Sequence, residues 1–424
     1  MARRLRFVLK LALLLVIVPA CSRGNVPPLK PTLVEPNPSA LIATPSPKQY
    51  PNPDVINLPE NVITTPVPGL LPNSIYFLND MGTGASQVWK LSRDGATLTQ
   101  ITFEAAPVTD FAISAATGSL AYITNNRLYY AQAANGKSTL LVDGGEISGN
   151  NLNQANESSN QRISSPRWSP NGKSLAYGYK GINIFLPGNG NKSRLLANGF
   201  LKSRNGSGNE IQAVYSPYAW SPNNMLLAIE IDLEGQGSTL GVLSLANGSL
   251  VRLHQPSTSP SDDMVCCQAS WSQDNKNLFV ANFYVSIPRP SGLWLFDIES
   301  GAGTILIPSD EKDGTHNYAG WPIQIKDGSL VYWYTSTPGR LDTEAPMKLV
   351  STGQDAVSNR TILRPEAILP EEVLWAEQAQ LAVIVQTAPG TAMRKIGGPA
   401  ILIKWKGSST QPLISNGYRL QWGP

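Results

Sequence analysis

Histidine is nearly absent from this chain: among 424 residues there are two, His254 and His316. A centre built from several histidines is excluded, and neither a metal site nor a cofactor is expected. No Gly-x-Ser-x-Gly elbow occurs, and no glycine-rich phosphate loop stands between a strand and a helix. Cysteine is as scarce, with only Cys21, Cys266 and Cys267. Charged residues make up 15% of the chain, and four of the basic ones (Arg3, Arg4, Arg6, Lys10) sit at its front. Without those four, acids and bases balance, which leaves no electrostatic footprint for nucleic acid. Two acidic pairs, Asp262-Asp263 and Glu371-Glu372, stand where strands are expected to begin. Such groups serve glycosidases or calcium sites, but no third partner is fixed, and they read as solvated or loop-capping residues. An enzyme is not expected.

What the chain does have is turns and a repeat. Glycine (36) and proline (34) are abundant, as in a β protein of short strands. The stretch Ser165–Tyr177 reads as a strand ending on Trp168, a Ser-Pro-Asn-Gly turn, and a second strand of alternating character. Asn-Gly supplies positive φ for a close hairpin. The same phrase returns at Trp220-Ser221-Pro222-Asn223-Asn224 and at Trp271-Ser272-Gln273-Asp274-Asn275, with weaker copies ending on Trp321, Trp375 and Trp422 and a diverged one on Phe111. A period of roughly fifty residues in strands and turns is the signature of a β-propeller blade. The recurring tryptophans are expected to pack between blades. The first folded residues, Ser74–Asn79, Gln87–Ser92 and Leu98–Thr102, read as three strands without an inner one. Gly417–Pro424 reads as an inner strand without the rest. Joined, they complete a blade and close the ring. The expected fold is an all-β, seven-bladed propeller over residues 73–424, with six blades and ragged ends as the alternative.

The front of the chain is an address. The basic residues precede an apolar run, Leu11–Ala20, that is too short to span a bilayer. The run ends in Val18-Pro19-Ala20-Cys21, which resembles a bacterial lipobox. That resemblance implies a signal peptide over residues 1–20, cleavage before Cys21, and acylation of its thiol, giving a membrane anchor. Residues 21–72 are proline-rich and lack apolar periodicity, so they read as a semi-extended tether. An extracytoplasmic location on a bacterial membrane follows, at the cell surface or in the periplasm.

The Trp-Ser-Pro-Asn-Gly-Lys phrase at 168–173, the Leu-Ala-Tyr strand at 175–177 and the Ile-Asn-Ile-Phe strand at 182–185 together resemble the WD40-like repeat of TolB-type propellers. The resemblance covers about 74–424 and implies a periplasmic or surface propeller. Many such proteins bind proteins; some accompany peptidase or lyase chemistry. Typical members have six blades and an additional N-terminal domain. This chain has an extra blade and a tether, so the family's own partners are not carried over.

Turns that join inner strand to second, and third to outer, are short. The long excursions all fall on the opposite face, where binding normally resides. Candidates there are Tyr215, Tyr218, Tyr284, Arg289, His316, Tyr318, Arg340, Asp342, Glu344, Arg394 and Lys395, because tyrosine and arginine combine area, hydrogen bonding and charge. Cys266 and Cys267 are candidates for a vicinal disulfide, with two buried thiols the alternative. The expected function is binding of a protein or other cell-envelope macromolecule through the long-loop face. A solute receptor using the central channel for a glycan, peptide or ion is the alternative, and a divergent carboxylate hydrolase or lyase the third reading.

Overall fold

The computed structural model describes residues 69–81, 84–147, 160–202, 210–233, 237–255, 268–282, 292–341, 345–387 and 396–424. The chain divides into two units, Met1–Ile63 and Thr64–Pro424, and the described residues belong to the second. The segment expected to be a signal peptide, Cys21 and nearly all of the segment expected to be a tether lie outside them.

Strands β1 (Ser74–Asn79), β2 (Gln87–Leu91) and β3 (Leu98–Gln100) open the fold. Next come β4 (Val108–Ile113), β5 (Leu120–Thr124), β6 (Arg127–Ala131) and β7 (Thr139–Asp143). A third group is β8 (Ser164–Trp168), β9 (Leu175–Gly178), β10 (Gly181–Leu186) and β11 (Asn191–Ala197). The fourth has five strands: β12 (Gly199–Lys202), β13 (Glu210–Trp220), β14 (Leu226–Leu233), β15 (Gly237–Ser244) and β16 (Leu250–Arg252). Then follow β17 (Gln268–Trp271), β18 (Asn277–Asn282), β19 (Gly292–Asp297) and β20 (Gly303–Pro308). The sixth group is β21 (Thr315–Gln324), β22 (Leu330–Pro338), β23 (Lys348–Thr352) and β24 (Thr361–Ile362). Last are β25 (Pro370–Ala376), β26 (Leu381–Gln386), β27 (Gly398–Lys404) and β28 (Thr410–Gly423).

Within each group consecutive strands pair antiparallel, so every sheet is a meander. The exception in order is the sheet β25-β26-β27-β28-β1-β2-β3, where the last strand serves two groups. Its first half pairs with β27 and its second half with β1. The sequence reading split this segment into an outer strand and a separate inner strand. One continuous strand does both because Gly417 lies at the crossover: a Cβ there would meet Ile414 Cδ1 at 2.7 Å and Phe77 Cδ2 at 2.9 Å. Counted with β28 shared, the described strands make seven units of four, plus the added β12.

The core lies between these units. Seven buried apolar clusters are resolved among the described residues, and each draws on two neighbouring units. One joins Ile75 and Phe77 of the first unit to Val383 and Leu402 of the last. The period-two alternation of the strands produces this, since one sheet face meets the preceding unit and the other face the next.

The repeated turns explain the repeated phrase. Gly172 donates its amide to Ser169 O at 2.8 Å, Asn224 to Ser221 O at 3.0 Å, and Asn275 to Ser272 O at 3.1 Å. Only the third loop position is left-handed, with φ of 68° at Gly172, 64° at Asn224 and 63° at Asn275. These are type I turns closed by a left-handed residue, so Asn171 needs no positive φ, contrary to the reading of Asn-Gly as a pair. The serine after each tryptophan holds the turn: Ser169 Oγ accepts from Ser174 N, Ser221 Oγ from Leu226 N, and Ser272 Oγ from Asn277 N, all near 3.0 Å. Gly172→Ala is expected to cost about 1–2 kcal/mol, because a Cβ would lie 2.6 Å from Ser114 Oγ as well as in a left-handed conformation. The urea midpoint measures it.

Neighbouring units are stitched at two levels. On the short-turn side, Asn171 N donates to Asn224 Oδ1, Asn223 N to Asn275 Oδ1, Gln273 N to Gln324 Oε1 and Lys326 N to Glu377 Oε1, each at 2.9–3.0 Å. Deeper in, the recurring indoles reach back to the preceding inner strand. Trp168 donates to Ala112 O, Trp220 to Arg167 O, Trp271 to Ala219 O and Trp422 to Trp375 O, at 2.7–3.2 Å. The fixed tryptophan position in the repeat thus reflects packing and one seam hydrogen bond.

Candidate functional site

The inner strands carry a second periodic feature, a β-bulge close to the repeat aromatic. Register shifts fall at Val108/Asp110 in β4, Ser164/Arg167 in β8, Pro217/Ala219 in β13, Gly320/Ile323 in β21 and Pro370/Glu372 in β25, and β28 bulges against Tyr76/Leu78. Three bulged residues that are not glycine take left-handed φ: Ser165 at 48°, Trp321 at 49° and Arg419 at 55°. A bulge takes main-chain groups off the ladder and re-aims side chains. Here polar side chains of the preceding unit take up the released groups. Glu372 accepts the amides of Arg419, at 2.7 Å, and Leu420, at 2.5 Å. Gln268 Oε1 accepts Trp321 N at 2.8 Å, and Arg167 Nε donates to Tyr218 O at 3.1 Å. Gln421 bridges to the next unit by accepting from Ile113 N at 3.0 Å and donating to Phe111 O at 2.8 Å.

These interactions gather charge where the first, second, third and last units meet. Asp110, with its side chain 8% exposed, pairs with Arg419 Nη1 at 3.0 Å and lies 3.9 Å from Arg167 Nη1. Arg167, Glu372, Arg419 and Gln421 line a cavity of about 380 Å³ together with residues of β4. Because four units contribute to it, the cavity lies on the axis around which the inner strands are arranged. An adjoining cavity of about 340 Å³ is lined by Thr109, Asp110, Asn126, Arg162, Ser164 and Arg419. Asn126 belongs to a second-to-third-strand turn and Arg162 to the connection before an inner strand. The second cavity therefore opens on the face that carries the long connections.

Glu372 is the most perturbed acid of this cluster. Burial pushes its carboxyl up to about 7; the amides of Leu420 and Arg419 and the Arg419 guanidinium oppose the rise, and Glu371 adds to it. The reading of Glu371-Glu372 as solvated or loop-capping residues is corrected for Glu372: it bridges strands across the seam that closes the fold.

The eleven sequence candidates do not form one surface. Tyr284, Arg289, Asp342, Glu344, Arg394 and Lys395 lie outside the described residues, as do Cys266, Cys267, Asp262 and Asp263. Among the other five, Tyr215 is 4% exposed, His316 2% and Tyr318 1%, so these three offer no contact area. In β21 every residue from His316 to Pro322 is buried, so both faces of the strand are covered there. His316 Nδ1 lies 2.6 Å from Asp310 Oδ1, its ring meets Tyr318 edge-on at 4.6 Å, and Tyr318 Oη accepts Leu341 N at 2.8 Å. Tyr218 is half-buried and its hydroxyl accepts Ala269 N at 2.9 Å, which ties the fourth unit to the fifth. Arg340 is exposed. The axial residues Asp110, Arg162, Arg167, Arg419 and Gln421 were not singled out from sequence. For all but Arg162 a signal was present: charged or amide residues one to three places before the repeat aromatic, in strands otherwise largely apolar.

The ladders and the axial arrangement define a β-propeller. Among solved structures the chain is similar to a puromycin hydrolase, with 13% identity, a TM-score of 0.51, and 83% of this chain and 53% of that one covered. TolB from Acinetobacter baumannii is also similar, at 16% identity and a TM-score of 0.38, covering 69% of this chain and 63% of that one. So is an oligogalacturonate lyase from Vibrio parahaemolyticus, at 9% and 0.48, covering 81% and 86%. The chain spans less than two thirds of the length of that TolB and about half of the hydrolase. No protein-family model and no curated protein matches it. Enzymes and TolB proteins both occur among the similar structures, and at these identities the likeness establishes the fold alone.

Proposed function

We propose that this chain is a lipid-anchored, extracytoplasmic propeller of seven blades that binds a protein or other cell-envelope macromolecule through its long-loop face. The observation that carries the reading is the asymmetry of the two faces. On one, short turns are locked to each other by side-chain hydrogen bonds. On the other, β13 and β21 run longer than the inner strands around them, β12 adds a fifth strand, and the charged axial cluster opens. A rigid ring with variable connections on one face suits recognition. The lipobox resemblance at Cys21 and the proline-rich segment supply the anchor and tether of this reading; no helix among the described residues is long and apolar enough to cross a membrane. No group of three or more metal-ligating side chains occurs among the described residues, and the half-buried Glu372 of the axial cluster accepts two backbone amides.

Crosslinking on intact cells tests the reading. The native protein is compared with one shortened at 284–291 and 339–346; β22 extends to Pro338, so the second cut starts after it. A defined protein partner captured by the native chain and lost in the shortened one, at unchanged circular dichroism, is the expected result. Equal capture by both, or none by either, removes the long-loop face as the working surface.

A further inference from the structure

Arg419 stands between the two axial cavities and lines both. It is 44% exposed and spends one guanidinium nitrogen on Asp110; among the described residues its other two have no protein partner. Arg167 uses Nε on Tyr218 O and Nη1 on Pro166 O, which leaves its Nη2 directed to neither. Arg162, an exposed side chain, lines the second cavity with Arg419 and Asp110. Arg419 thus links Arg167, in the first cavity, to Arg162, in the second, and one carboxylate, Asp110, is already shared by Arg167 and Arg419. The remaining acid, Glu372, is turned into the seam amides.

We propose that Arg162, Arg167 and Arg419 form a subsite for the carboxylates of an acidic peptide segment. A guanidinium with two neighbouring donors open matches a carboxylate edge-on, and partial burial strengthens the charge-assisted pair. The axial site keeps an excess of positive charge, reinforced because Glu372 gives up its proton only near neutral pH. An extended peptide fits the surroundings better than a glycan. The ladder skips Thr109 and the Ser165-Pro166 pair beside the arginines, which places main-chain groups off their sheet next to the charges. One indole, Trp168, lines the first cavity, but it is pinned in the seam by donating to Ala112 O, and no second aromatic side chain lines either cavity among the described residues to complete a sugar-stacking platform. Thr109, Asn126 and Ser164 add hydroxyl and amide groups around the cavity.

The inference rests on the reading that a protein partner docks on this face, and binding of a defined probe separates the two. Fluorescence anisotropy on the full chain would use a fluorescein-labelled glutamate–glycine peptide, its glutamine–glycine counterpart and unlabelled oligogalacturonate. The glutamate peptide is expected to bind at least about tenfold more tightly than the glutamine one, with affinity falling as salt rises. Arg419→Gln is expected to weaken it about tenfold. Arg162→Gln, at an exposed position that leaves the fold intact, is expected to weaken it about threefold. Equal binding of the two peptides, or unchanged affinity in both variants, would overturn the subsite. Oligogalacturonate binding without peptide binding would also overturn it and assign a glycan. A crosslinked partner on cells with no peptide binding removes the subsite and keeps the face; peptide binding with no crosslinked partner does the reverse.

Discussion

Removal of Gly417–Pro424 is expected to abolish cooperative folding of the propeller and leave an aggregating product. The segment is small, but it is the inner strand of the first unit: Ser74 pairs with Gly423, Ile75 with Trp422, Tyr76 with Gln421 and Leu78 with Tyr418. It also holds both neighbours. Trp422 Nε1 donates to Trp375 O at 2.7 Å, Gln421 makes its two bonds to β4, and Tyr418 Oη bonds Ser86 Oγ at 2.8 Å. Without it, β1 becomes an open edge whose Ile75, Tyr76, Phe77 and Leu78, now at most 2% exposed, face solvent. Each fully buried side chain of this size contributes about 1.5–3 kcal/mol. Several at once match the about 5–15 kcal/mol that holds a domain together, and an apolar edge templates association. Trp422→Phe is the control: it keeps the ladder, loses the indole bond, and is expected to cost about 1 kcal/mol. Soluble yield, circular dichroism and the urea transition measure the outcome. A truncated chain that stays soluble with the parental midpoint would show that the clasp is dispensable.

That the two ends meet was legible in the sequence because each end looked incomplete: three strands without a first at Ser74–Thr102, and a first without its followers at Gly417–Pro424. The repeat was legible for a related reason. The Trp-Ser-x-x-Gly/Asn phrase satisfies one set of local demands, a seam indole, a serine acceptor and a left-handed third loop residue, and those demands recur in the three full copies at Trp168, Trp220 and Trp271. What escaped sequence reading is non-local. Tyr215, His316 and Tyr318 were chosen as surface residues by type, and each is buried, Tyr215 against the preceding unit and Tyr318 against the following one. β12 escaped because its partner, the early half of β13, looked like loop until the two paired at Gly199↔Ala213 through Lys202↔Glu210. Asp110, Arg167 and Arg419 escaped, and Glu372 was read as solvated, because the four come from four repeats and meet only when the ring is formed. Single residues at a shared repeat position are better guides to the axis of such a fold than any local motif.

Raising the pH from about 5 to about 8 is expected to lower stability by up to about 3 kcal/mol through Glu372 alone. Its carboxyl is pushed from an ordinary 4.5 to about 7, first by burial in the seam. The folded state therefore holds the proton more tightly than the unfolded chain. The stabilisation is fully present below the unfolded value and is lost as pH rises through the folded one. The groups that face Glu372 set how steep the loss is. Arg419, through its amide and guanidinium, and the Leu420 amide favour the anion, Glu371 disfavours it, and Asp110 draws off part of the Arg419 charge. Glu372→Gln separates this effect from all other sources of pH dependence. Glutamine offers one acceptor oxygen where two amides approach different oxygens, so one seam bond is lost at a cost of about 1 kcal/mol at all pH values. The variant is expected to be the less stable protein near pH 5 and the more stable one near pH 8, with urea midpoints that cross between. Parallel curves for the two proteins would mean that Glu372 stays ionised throughout, held so by the two amides. In that event the seam between the last unit and the first is a fixed clasp. A crossing makes it one whose strength follows the proton activity of the compartment in which the propeller works.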